Sequence, residues 1–195
     1  MEFSKHETYG PTNYAEYLQT PEGEIWEIIE GEPTLMAPGP SDPHQRVLGN
    51  LAGIFFPLMK GKDCVFRLSP YDVRLFAEST NNEEIKTVVQ PDFLIICDPK
   101  KIDKRGCFGA PDFVVEVLSP SNADHDRGRK RQLYRKAGVR EYWLIDPETE
   151  RIEVYDFQHD PQQFFATAFY DNKSDKEIKV GIFDNVSIQL ADLFS

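Results

Sequence analysis

The chain has 195 residues, 40% of them hydrophobic and 12% aromatic, and a formal net charge of −11. That is enough apolar material for a core, so the disordered class is excluded; no apolar run approaches the ~20 residues of a membrane span. The acidic balance excludes a protein that coats nucleic acid by bulk charge, but not one with a local basic surface.

The N-terminal stretch MEFSKHETYG lacks the apolar core of a secretory signal. Residues 12–20 predict a short helix capped by Thr12 or Asn13. Residues 25–36 predict a strand pair turning at Glu30-Gly31. Ser41 or Asp42 then caps a helix with Pro43 in its first turn. Val47, Leu48, Leu51, Ile54, Phe55 and Leu58 follow at helical spacing, and the helix ends near Gly61. Residues 64–76 give a kinked strand pair split at Ser69-Pro70, and 88–97 an apolar strand around Asp92. A Lys- and Gly-rich loop covers 98–110, and 112–118 form a second apolar strand around Glu116. A basic helix spans about 124–137 and stops at Gly138. Residues 141–146 and 151–157 form a hairpin, followed by short strands in FFATAFY, EIKVGIF and VSIQL.

This order predicts an α/β (α+β) fold with a mixed central sheet flanked by helices. Residues 1–195 read as one domain, its core at about 25–157, with 158–195 as a C-terminal β extension. Cys64, Cys97 and Cys107 form no CxxC pair and read as reduced thiols of a cytoplasmic protein without structural zinc.

Asp92 and Glu116 each interrupt an otherwise buried strand, and an ionised carboxylate there needs compensation by a metal, a lysine or hydrogen bonds. Alternation puts Glu116 on the face of Val114 and Leu118, and Asp92 on that of Leu94 and Ile96. If the two neighbouring strands pair, the acids can converge; taken singly, either could as well serve a structural ion pair. On the following helix Lys130 is the basic residue of the apolar face, with Asp126, Leu133, Tyr134 and Ala137 within about 60°. It needs a carboxylate partner, unless it snorkels to water or pairs only with Asp126.

Two carboxylates suit Mg2+ or Mn2+, and a nearby lysine can orient water and stabilise developing charge, which suffices for phosphodiester hydrolysis. Residues 127–140 carry seven basic residues and no acid, a local excess consistent with a DNA partner contacted by Arg127 and Arg131, or with a helix face paired to acids elsewhere.

The strings WEIIEGEP, PGPSDPHQRV, VVQPDFLII, PDFVVEVLSPS, DRGRKRQLYRKAGVREYWLIDP and FDNVSIQLADLF resemble, in order, those of the PD-(D/E)XK nuclease superfamily. Within it they resemble a family of uncharacterised bacterial proteins named as restriction endonucleases. The resemblance implies a mixed four-stranded core sheet, with Asp92, Glu116 and the Val117 carbonyl as metal ligands. The superfamily's usual lysine position, two after the Glu, is Leu118 here, and Lys130 fits a migrated lysine. The resemblance also implies an N-terminal acid, with Glu27 the better match and Glu30 the rival; alternation allows only one to face inward. His44 falls in a matching string, where it could touch a phosphate or water. Asp124, His125 and Asp126 read as helix capping, and Asp72 as a surface position or a supporting partner of the site.

The expected function is a magnesium-dependent endodeoxyribonuclease without organic cofactor. Cutting both strands of a duplex is consistent with a homodimer. The competing classes are a catalytically inactive nucleic-acid-binding module, favoured by the acidic charge and Leu118, and an acidic protein-interaction domain.

Overall fold

The computed structural model describes residues 10–36, 39–119 and 123–195, and of Asp124 only the backbone. The N-terminal nine residues, together with Pro38, Pro120 and Ser121 of the matched strings, lie outside the described residues.

In chain order, α1 (Tyr14–Tyr17) is capped by the Asn13 side chain, which accepts the Glu16 N–H. Strands β1 (Trp26–Ile29) and β2 (Glu32–Leu35) form a hairpin whose turn uses positive φ at Glu30 and Gly31. Helix α2 (Asp42–Met59) is capped by Ser41, whose hydroxyl accepts the His44 N–H. Four strands follow: β3 (Val65–Leu68), β4 (Val73–Arg74), β5 (Val88–Val89) and β6 (Phe93–Ile96).

The segment 98–110, expected as a loop, instead holds a 3-10 turn (Pro99–Lys101) and the hairpin of β7 (Ile102–Asp103) and β8 (Gly106–Phe108). Its strands are too short for alternation to show. Gly106 has φ +133, and a Cβ there would lie 2.1 Å from the Asp72 carbonyl oxygen. Strand β9 (Phe113–Val117) leads to α3 (Ala123–His125), a π-helical turn (Asp126–Lys130) and α4 (Arg131–Ala137), which ends on Gly138 at φ 90. The hairpin β10 (Glu141–Asp146) and β11 (Arg151–Asp156) precedes β12 (Ala168–Asp171), β13 (Glu177–Lys179), β14 (Ser187–Gln189) and α5 (Leu190–Leu193).

The central sheet runs β12-β11-β10-β9-β6-β3, six strands where the family pattern implies four. It is mixed: β9 and β10 are parallel and the other neighbours antiparallel. A second sheet runs β2-β1-β5-β4-β8-β7, and β13 pairs with β14. On one face of the central sheet, Val47, Leu51 and Phe55 of α2 pack on Phe93, Val115 and Trp143, and Ile178, Ile188 and Leu193 of the C-terminal segment join that core. On the other face, Leu133 and Tyr134 of α4 and Val73 and Val89 of the second sheet cover Leu94, Val114, Leu144 and Tyr155.

The expectation of three reduced thiols is corrected. Register Val65↔Ile96 makes Cys64 and Cys97 the next cross-strand neighbours, and they are joined by a disulfide; Cys107 is free and buried. The sequence offered no such pairing because it rests on a register between β3 and β6 that spacing does not reveal.

Candidate active site

The register Leu94↔Val114 between β6 and β9 places positions 92 and 116 opposite one another at one end of the central sheet. Pro91 stands opposite Val117 in this register, and proline has no N–H to offer the Val117 carbonyl. The Val117 N–H instead donates to Asp92 Oδ2 at 2.8 Å. Strand pairing thus stops where the acids begin.

Lys130 is buried, and its ammonium lies 2.9 Å from Glu27 Oε1, 3.0 Å from Glu116 Oε1 and 3.6 Å from Asp126 Oδ1. Three elements therefore meet at one cation: β1 brings Glu27, β9 brings Glu116, and the π turn brings Lys130 with Asp126. Glu30 is exposed in its turn, so Glu27 is the inward acid. Tyr134 donates to Glu116 Oε1 at 2.7 Å, and the Gln90 N–H donates to Glu27 Oε1 at 3.0 Å. His44 Nε2 lies 3.2 Å from Asp92 Oδ2, brought there by the first turn of α2.

Burial pushes the Glu116 carboxyl well above the usual carboxylate range, against the pull of Lys130 and reinforced by Asp126, Asp92 and Glu27. Burial likewise raises Asp126 to about 6. For Lys130, burial opposes the charge, but Glu116, Glu27 and Asp126 outweigh it and hold the ammonium well above the ordinary lysine range. Burial, with Glu116 second, keeps the Tyr134 phenol protonated. Three carboxylates (Glu27, Glu116 and Asp126) thus surround one ammonium, and Asp92 raises the Glu116 carboxyl from beside them.

The donor set fits a hard divalent ion. Asp92 Oδ2 takes both the Val117 N–H and the His44 contact, and Glu116 Oε1 takes both Lys130 and Tyr134. The second oxygen of each carboxylate, with the Val117 carbonyl, is an oxygen ligand of the kind Mg2+ and Mn2+ prefer. Among the described residues no group of three or more His, Cys, Asp or Glu side chains is arranged to hold a metal. A set of two acids and a carbonyl would not form such a group. Asp126 Oδ1 and His44 Nδ1 are buried without a hydrogen-bond partner among the described residues.

The expected basic contacts lie on the other flank of the helix. Arg127 pairs with Glu153 at 2.8 Å, and Arg131 lies over the rings of Phe164 and Tyr155. Arg129 bonds the Ile29 carbonyl and Glu32, tying the helix to the β1–β2 hairpin. Asp72 is half-buried rather than a surface residue. It accepts Tyr14 at 2.7 Å, Tyr17 at 3.1 Å and the Gln90 amide at 2.9 Å, so Gln90 links it to Glu27. Sequence reasoning weighed Asp126 as a partner of Lys130 without placing it in the site, and missed Tyr134 and Gln90 as members of this cluster. The signal for the first two was present, since both lie at i ± 4 from Lys130 on its own face.

Residues 14–177 match the family model Uma2, described as "Putative restriction endonuclease". The chain is 31% identical over 143 residues to the uncharacterized protein slr1290 of Synechocystis, covering 72% of this chain and 71% of that protein. It is 32% identical over 163 residues to the uncharacterized protein sll1609 of the same organism, covering 81% and 88%. Its fold is similar to the crystal structure of a protein from Anabaena variabilis described as a "putative nuclease", with TM-score 0.72, 21% identity, and 94% and 98% of the two chains covered.

Proposed function

The chain belongs to the Uma2 family, described as putative restriction endonucleases, and from that premise we propose that it is a magnesium- or manganese-dependent endonuclease hydrolysing phosphodiester bonds in DNA. The observation that carries the reading is the Lys130 ammonium enclosed by Glu27, Glu116 and Asp126 beside Asp92, at the place where Pro91 ends the β6–β9 ladder.

Asp92, Glu116 and the Val117 carbonyl would hold the cation. Bound there, it would supply charge neutralisation at the phosphoryl group and a more acidic water. Glu116, Glu27 and Asp126 hold the Lys130 ammonium above the ordinary lysine range, so it acts as a donor that orients water and stabilises developing negative charge. Glu27, with its Oε1 fixed by Lys130 and Gln90, positions that ammonium. His44 and the Val117 N–H hold Asp92 in one rotamer, and Tyr134 does the same for Glu116.

Cleavage of supercoiled plasmid and of single-stranded DNA in Mg2+ and Mn2+ tests the reading. Wild-type protein nicks or cuts one of them, EDTA stops it, and Asp92→Asn, Glu116→Gln and Lys130→Met each lose at least about a hundredfold in rate. Equal cutting by wild type and all three variants would refute it. Leu118 at the usual lysine position, buried in the apolar cluster, favours a second reading as a non-cutting DNA-binding module. DNA shifted in a gel but never cleaved selects that reading.

A further inference from the structure

Phe164, Phe165 and Phe169 are 51%, 75% and 71% exposed, an unusual concentration of bare rings. Phe164 and Phe165 meet edge to face at 5.2 Å, and the Arg131 guanidinium lies 4.4 Å from the Phe164 ring centre. Arg127, Arg131 and Arg135 stand four residues apart and form one ridge of the helix. They contact, in turn, Glu153, Tyr155 with Phe164, and the Gln162 carbonyl.

The strand registers connect this surface to the candidate site. Glu116 is opposite Leu144, Leu144 opposite Glu153, and Glu153 opposite Phe169. Cross-strand partners share a sheet face, so Phe169 and Glu116 lie on one row, three strand spacings or about 14 Å apart. That length corresponds to a few nucleotides of a single strand at about 3.4 Å or more each.

We propose that Phe164, Phe165 and Phe169, with the Arg127–Arg131–Arg135 ridge, form a stacking platform for unpaired bases of a single DNA strand whose backbone reaches the Glu116 site. Aromatic rings beside arginines are how sequence-tolerant single-strand binding is built. Charge complementarity argues for this occupant: the ridge is locally basic within a chain of charge −11. The proposal rests on the nuclease reading for the link between platform and site, and it makes the substrate DNA that is single-stranded or splayed near the cut.

Fluorescence anisotropy in EDTA, with a short labelled single-stranded DNA and the same sequence as a blunt duplex, tests it. Phe165→Ala and Phe169→Ala each weaken single-strand binding about tenfold and leave duplex binding unchanged, whereas Phe169→Tyr, which keeps a ring, binds the single strand as wild type does. The proposal is overturned if wild type binds no single strand, if the alanine variants bind it normally, or if duplex affinity falls equally. It is also overturned if sedimentation shows the variants splitting a dimer, which would make the surface an interface between copies. If the variants lose single-strand affinity while wild type cleaves nothing in Mg2+ or Mn2+, the platform stands and the nuclease reading falls.

Discussion

Lys130 sits with its ammonium 2.9 Å from Glu27 and 3.0 Å from Glu116, and that enclosure decides its chemistry. Replacing it with methionine leaves three carboxylates without their cation, so metal-free Lys130→Met loses roughly 3–5 kcal/mol of stability in urea unfolding. Added Mn2+ restores part of it in that variant if the acids are ligands. Arginine does not rescue cleavage, because a planar fork cannot fill a point site among three converging carboxylates. Asp126 gives a pH signature. Its folded carboxyl titrates at about 6, above the ordinary value near 4, so between those values the folded chain holds a proton the unfolded chain has released. Stability in EDTA therefore falls as pH rises from about 4 to about 6, by up to about 3 kcal/mol, and Asp126→Asn flattens that part of the profile. At this scale the sequence was informative for groups in the wrong environment: Asp92 and Glu116 in apolar strands, Lys130 on an apolar helix face. It was silent for Gln90, whose contact to Glu27 is made by its backbone N–H, and divided over Asp126, read both as a helix cap and as a partner of Lys130. A helix-start acid reads as a cap, and nothing in the string DHDRGRK announces the π turn that holds Asp126 beside Lys130.

At the scale of elements, the end of the β6–β9 ladder is the feature on which the site depends. Pro91→Ala supplies the N–H that proline withholds from the Val117 carbonyl. Isothermal titration with Mn2+ is expected to show several-fold weaker binding with little change in stability; unchanged affinity would remove that carbonyl from the ligand set. The hairpin at β7–β8 depends on Gly106. Its φ of +133 and the Asp72 carbonyl at the Cβ position make Gly106→Ala cost roughly 2–4 kcal/mol, read from urea denaturation. Long periodic elements such as α2, β9 and the β10–β11 hairpin were visible in the sequence because many positions carry the same pattern. The short strands β7 and β8 were not, since pairing with each other and with β4 rather than local pattern makes them strands.

Across the whole molecule, the C-terminal segment buries Ile178, Ile188, Leu190 and Leu193 in the same core as α2 and β9. We propose that residues 158–195 fold with the rest as one unit. Trp26 lies in the second sheet and Trp143 in the central one, so tryptophan fluorescence and far-ultraviolet dichroism should give coincident urea transitions; two separate transitions would divide the chain. No helix of the described residues is long and apolar enough to cross a membrane. Within a chain of charge −11, Lys130 and Asp126 face the site and the arginine ridge occupies another flank of the same helix. The most direct test of the account is a crystal grown with Mn2+ and measured at the manganese absorption edge. The account predicts one anomalous peak within about 2.5 Å of oxygens from both Asp92 and Glu116, with Lys130 beside it. Manganese bound elsewhere, or absent at saturating concentration with both carboxylates still turned to Lys130 and His44, would contradict it.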